Sequence, residues 1–154
     1  MIVVSDTSPI LNLAVIGRLD LLRDLYSELV VPETVRRELS WNGIQLDRSW
    51  MRLAFARDQS AVAALLDQLD PGEAEAIVLA GECGAELLLV DEKRGRRIAM
   101  ERGLEVTGLL GVLAEAKARG FIGECKPILE DLIQVAGFWI GDDLRQRYLR
   151  ALNE

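Results

Sequence analysis

The chain contains no histidine. That absence removes every mechanism built on imidazole: Ser-His-Asp triads, Cys-His dyads, HExxH metalloprotease sites and Cys/His zinc fingers. Cysteine is almost as scarce. Cys83 and Cys125 are the only two, and they form no CxxC. Two thiolates fall short of the four in an all-cysteine zinc site. Two well-separated cysteines fit reduced, partly buried thiols in a cytosolic protein. No uncharged apolar run approaches the ~20 residues of a membrane-spanning helix. The N-terminus has no basic region ahead of its apolar stretch, and Asp6 interrupts that stretch early, so no signal peptide is expected. The expectation is a soluble, cytoplasmic protein that avoids membranes. Positive charge is also in deficit: 18 Lys and Arg stand against 25 Asp and Glu, a formal charge of -7. Any attraction for nucleic acid must then be local. If the protein is an enzyme, carboxylates carry its chemistry, and their natural companion is a hard metal ion.

What is present suits one α/β domain spanning residues 1–154. Half the residues are hydrophobic, enough for a core without disulfide or metal staples. Ile2 to Ser5 reads as a buried strand. Ser8 can cap the next helix, with Pro9 in its first turn and Gly17 at its end. Further helices are expected over 18–26, 33–40, 59–69, 73–83, 92–102, 109–119, 127–136 and 142–152. Strands are expected over 28–31, 50–56, 87–90 and 104–107, and Asp70-Pro71-Gly72 reads as a turn. Apolar strands alternating with helices imply parallel βαβ units.

In a parallel sheet, ligands bind beyond the carboxyl ends of the strands. Asp6 follows the first strand directly, and Asp91 follows the 87–90 strand. Glu38 rides on the helix after the second strand, and Glu73 begins the helix after the Asp70-Pro71-Gly72 turn. Each has an ordinary alternative. Asp6 and Asp91 suit helix caps, Glu73 suits a helix first turn, and Glu38 suits a solvated helix face.

Together these acids sit in segments that resemble a known family. The segments are Ser5-Asp6-Thr7-Ser8-Pro9-Ile10, Val31-Pro32-Glu33-Thr34-Val35 leading to Glu38, and Gly72-Glu73-Ala74-Glu75-Ala76-Ile77. Leu88-Leu89-Val90-Asp91-Glu92-Lys93-Arg94-Gly95-Arg96 and Val106-Thr107-Gly108-Leu109-Leu110-Gly111 continue the pattern. Over nearly the whole chain they resemble PIN domains, in particular a prokaryotic branch related to VapC-type toxins. The resemblance implies a three-layer α/β/α sandwich with a small parallel sheet. It implies that Asp6, Glu38, Glu73 and Asp91 form a catalytic cluster binding Mg²⁺ or Mn²⁺. It further implies hydrolysis of RNA leaving 5′-phosphate and 3′-hydroxyl ends, a cognate antitoxin and a homodimer. Glu75 competes with Glu73 for the third position. Two residues apart on a helix means nearly opposite faces, so only one can face the site. Glu73 is preferred because the turn places it nearest the strand ends. Glu92-Lys93-Arg94 stands where toxin-type relatives carry a further acid.

Such a site is physically coherent. Clustered carboxylates repel one another and hold protons unless a cation relieves them. Hard divalent ions prefer oxygen ligands, lower the pKa of water and offset phosphoryl charge. Thr7 or Ser8 could orient a ligand or cap locally. Arg94 and Arg97, three apart in a basic helix, are candidates to grip substrate phosphates, with a solvated face of internal ion pairs as the alternative. Arg36 and Arg37 are weaker candidates. Phe138, Trp139 and Tyr148 could stack bases, or pack in a core or interface. Leu144, Tyr148 and Leu152 form one side of a final amphipathic helix that could serve a partner. The main rival is a PIN-like binding module with an incomplete metal site. A phosphoacceptor receiver domain wants an acidic pair after the first strand, and Thr7 follows Asp6. Neither GxGxxG nor GxxxxGK[ST] occurs, which disfavours nucleotide binding.

Overall fold

A computed structural model describes residues 1–154. Five parallel strands form one sheet in the order β3-β2-β1-β4-β5. They are β1 (Val3–Ser5), β2 (Leu29–Pro32), β3 (Met51–Ala54), β4 (Leu87–Leu89) and β5 (Val106–Thr107). Nine helices surround them: α1 (Thr7–Val15), α2 (Asp20–Tyr26), α3 (Glu33–Trp41), α4 (Gln59–Leu65), α5 (Pro71–Glu82), α6 (Lys93–Glu101), α7 (Leu109–Ala118), α8 (Lys126–Gln134) and α9 (Asp142–Ala151).

The strands are apolar on both faces because helices cover both, as all-parallel sheets require. Side chains alternate across the sheet. Val3, Val31 and Leu89 enter one core with residues of α1, α2, α3, α7 and α8. Val4, Val30, Leu88 and Val90 enter a second core built on α4, α5 and α6. The result is the expected three-layer α/β/α sandwich.

The central strand is β1, flanked by β2 and β4. From β1 the chain steps outward through β2 and β3, then crosses back to β4 and β5 on the other side of β1. This reversal opens a crevice beyond the carboxyl ends of β1 and β4. In the register, Val4 lies beside Val30, and Ser5 beside Leu89. The first residue beyond β1 is therefore Asp6, whose N–H donates to Leu89 O at 2.9 Å.

Several boundaries differ from the sequence expectation. Helix α1 begins one residue after Asp6, so Asp6 occupies the N-cap position and Ser8 lies inside the helix. Pro71 and Gly72 belong to the first turn of α5 rather than to a separate turn. Asp70 and Glu73 close a reciprocal capping box: Glu73 N–H donates to Asp70 Oδ1 at 2.9 Å, and Asp70 N–H donates to Glu73 Oε1 at 3.3 Å. Such a box favours helix growth from Pro71 onward. Helix α4 stops at Leu65, and turns carry the chain on to a buried Leu69. Helix α9 buries none of its residues fully. Tyr148 and Leu152 pack against the first core, whereas Leu144 stays exposed. Much of the apolar side expected to serve a partner is thus spent within the chain. Both cysteines are free thiols, with Cys125 buried. No helix is long and apolar enough to cross a membrane.

Candidate metal centre

The crevice beyond β1 gathers carboxylates from four segments. Asp6 is 4% exposed, and its side chain makes no capping hydrogen bond. The cap explanation for Asp6 therefore fails. Its Oδ1 is buried without any partner, a costly arrangement for an acceptor unless something else satisfies it. Glu38 reaches in from α3. Its Oε1 accepts from Gly72 N–H at 3.1 Å, and its Oε2 accepts from the Thr7 hydroxyl. Asp70 completes the grouping. One carboxylate oxygen each from Asp6, Glu38 and Asp70 lies within 4.8 Å of the others.

Glu73 borders this triad through its capping box with Asp70, while Asp91 is linked to the region only through Ser8 on α1. Glu73 is buried, and its Oε2, like Asp6 Oδ1, has no partner. Asp91 Oδ1 accepts from Leu109 N–H at 2.7 Å, and Oδ2 accepts weakly from the Ser8 hydroxyl at 3.4 Å. Asp91 thus ties β4 to the start of α7 and does not cap α6, whose N-cap is Glu92. Glu75 points elsewhere. Its oxygens accept from Thr34 N–H at 2.8 Å and Ala56 N–H at 3.3 Å. It fastens α3 and the end of β3, so of the two glutamates only Glu73 faces the crevice side.

Glycines make room for three of these acids. A Cβ on Gly72 would stand 2.5 Å from Glu38 Oε2, one on Gly95 would stand 2.6 Å from Glu73 Oε2, and one on Gly108 would stand 2.6 Å from Asp91 Oδ1. Any side chain at these places displaces a carboxylate.

The crowding shows in proton affinity. Burial holds the Asp6 carboxyl well above the usual carboxylate range; the Thr7 N–H opposes this, and Asp70, Glu73 and Glu38 raise it further. Burial also raises Glu38, with Thr7 opposing and Asp70 adding to the shift. Glu73 is pushed up to about 7, by burial first and then by Asp70. Burial raises Asp91 as well, against the Leu109 N–H and the nearby Arg96.

A family model described as a PIN domain matches residues 2–154. The chain belongs to the PIN-domain family. A search of curated proteins gives no match. The PIN domain is a nuclease-type fold, and here its strand ends carry a donor set suited to a hard divalent cation. All three converging groups are carboxylates, and Asp6 offers a buried, unsatisfied oxygen. Oxygen-only ligation is what Mg²⁺ and Mn²⁺ prefer.

Of the four acids expected from sequence, this PIN domain brings Asp6 and Glu38 together. It sets Glu73 beside Asp70, leaves Asp91 outside the grouping on Ser8 and Leu109, and adds Asp70, which the sequence pattern reads as a turn. The signal was the Asp70-x-x-Glu73 spacing, a capping-box pattern that places Asp70 just outside a helix start. Thr7 and Ser8 hold site acids rather than capping α1. Arg94 turns toward Gln68 O at 3.3 Å, and Arg97 pairs with Glu101 at 3.9 Å on an exposed face. Phe138 and Tyr148 pack on the first core, while Trp139 is 85% exposed.

Proposed function

We propose that this PIN domain is a divalent-metal-dependent endoribonuclease, with Asp6, Glu38 and Asp70 holding Mg²⁺ or Mn²⁺. One observation carries the reading. A buried aspartate with an unpartnered oxygen lies within ligand distance of two further carboxylates, at the carboxyl edge of the central strand. Glu73 and Asp91 belong to the expected acidic set, and the free oxygen of Glu73 lies against Gly95 of α6. A hard divalent cation there supplies the Lewis acidity that makes water a nucleophile at neutral pH and offsets charge on the phosphoryl oxygens.

The chain's own groups do the rest. Thr7 and the Gly72 N–H fix both oxygens of Glu38, so its carboxylate is oriented before a ligand arrives. The capping box sets Asp70 and Glu73 against each other at the start of α5. Asp91 pins the start of α7 to the end of β4. This preorganisation is what electrostatic catalysis needs, because little reorganisation remains for the reacting state.

The reading extends to a single-domain protein of residues 1–154 acting in the cytoplasm as a VapC-like toxin, with a neighbouring antitoxin and a homodimeric form. Its support is the family resemblance. The decisive experiment incubates purified protein with a labelled RNA, with and without Mg²⁺ or Mn²⁺. Cleavage leaving 5′-phosphate ends is expected, abolished by EDTA and by Asp6→Asn. No cleavage, together with no metal binding by calorimetry, overturns the nuclease reading and leaves the binding module. Growth arrest on expression, relieved by the product of the adjacent reading frame, tests the toxin role separately.

A further inference from the structure

An acidic crevice in a protein of charge -7 repels the polyanion it is proposed to cut. Something local must offset that repulsion. The cations near the site are few, and three of the arginines are already engaged, while Lys93 at the start of α6 is exposed but offers only a point charge. Arg36 is held by Glu33, with contacts of 2.5 and 2.9 Å. Arg94 is turned to Gln68 O, and Arg97 to Glu101. Two arginines remain. Arg37 adjoins Glu38 on α3, is exposed, and makes only a 3.5 Å contact with Thr34 Oγ1. Arg96 on α6 is exposed and has no ion pair. Its Nη1 stands 3.6 Å from the point where a Gly108 Cβ would lie, the same point that Asp91 Oδ1 approaches to 2.6 Å.

The sheet order puts these two on opposite sides of the centre. Glu38 and Arg37 follow β2, Asp91 and Arg96 follow β4, and Asp6 follows β1 between them. We infer that Arg37 and Arg96 form a two-point clamp that holds an RNA strand across the carboxylate centre, each gripping a phosphate flanking the one attacked. The inference rests on the ribonuclease reading and adds the path of the strand. Arginine suits the task, since its planar fork matches phosphate oxygens in a bidentate fashion. Neither guanidinium is locked in a close salt bridge, and each already lies near a site carboxylate, Arg37 near Glu38 and Arg96 near Asp91. The clamp also separates the work of the two charges: arginines hold the flanking phosphates, while the acids act on the phosphate between them.

The test measures binding of a fluorescent single-stranded RNA by anisotropy over a salt series, with Ca²⁺ in place of Mg²⁺ to hold off cleavage. Arg37→Ala and Arg96→Ala should each weaken binding about threefold to tenfold and lower the log–log salt slope by ~0.7, the value for one phosphate contact on a single strand. Arg96→Lys, which keeps the charge, should restore the slope. Arg147→Ala, on α9 and paired with Asp143, should leave both quantities unchanged. If wild type binds RNA and the two alanine variants match it, the clamp is wrong while the nuclease reading stands. An equal loss in Arg147→Ala would also overturn the clamp, since attraction would then be diffuse. If wild type binds no RNA, the nuclease reading falls and the clamp with it. Circular dichroism of each variant separates these results from unfolding.

Discussion

At the residue scale, the site is a set of carboxylates held apart from their usual partners. Asp6 stands where a helix cap belongs yet does no capping, and its free oxygen is the clearest mark of function in the molecule. The tight seat of Glu38 gives a direct prediction. In Gly72→Ala the new Cβ would fall 2.5 Å from Glu38 Oε2 and 2.9 Å from Oε1, so the carboxylate must leave the position in which it now meets Asp6 and Asp70. Calorimetric Mg²⁺ or Mn²⁺ affinity should drop at least tenfold, while the fold survives because Ala suits a helix first turn. Unchanged affinity would mean that Glu38 is not a ligand. Thr7→Val should act in the same direction but more weakly, since it frees one oxygen without moving the backbone. Sequence made Asp6 and Glu38 legible because each directly follows a strand or lies on the next helix. It hid Asp70, because Asp-Pro-Gly is equally good turn chemistry. Only the fold shows that the turn is the start of α5 and that it opens on the crevice. The basic segment was harder still. Choosing among arginines on one helix needs the neighbours of each guanidinium, and those lie on other elements.

At the scale of elements, α5 is the organiser. Its Gly72 faces Glu38, its Glu73 faces Gly95 of α6, and its Glu75 fastens α3 and the end of β3. Two acids spaced by two residues were expected to point apart, and they do. One is aimed toward the chemistry and the other is structural. The roles separate experimentally. Glu75→Ala strips the buried Ala56 N–H and the half-buried Thr34 N–H of their acceptor, which costs about 2 kcal/mol. Denaturant unfolding should show that loss as a lower midpoint with an unchanged m-value. Glu73→Gln keeps the size and the capping contact to Asp70 N–H. It should leave stability equal or higher, because it removes a poorly solvated carboxylate, and should lower nuclease turnover. The reverse pattern would exchange their roles. Helices and central strands were legible from apolar periodicity. The edges were less so: β5 has two residues and α4 ends early, since tertiary packing, not periodicity, decides where short elements stop.

At the scale of the whole molecule, the acidic charge and the missing histidine belong to one design. Asp6, Glu38, Glu73 and Asp91 all carry raised proton affinities in the folded state. A carboxyl whose folded pKa exceeds its unfolded value stabilises the fold fully at low pH. It loses that contribution as pH rises, because the unfolded chain sheds its proton first. For Glu73 the window runs from its ordinary 4.5 to about 7. Metal-free protein should therefore lose stability across that window, with a slope of at most about 1.4 kcal/mol per pH unit for each such proton. A divalent cation binds the charged forms, so its stabilising effect should grow as the acids ionise. Thermal melts at pH 5, 6, 7 and 8, in EDTA and in excess Mg²⁺ or Mn²⁺, measure both effects. The gap between the two curves should widen with pH and shrink sharply in Asp6→Asn. A gap independent of pH would show that the cation does not draw on these carboxylates, and the metal assignment would fail with it. The outcome bears on the whole fold, because the sheet order that opens the crevice also forces these acids together. With no imidazole in the chain to share their protons, the cluster is left to be balanced either by protonation or by a cation.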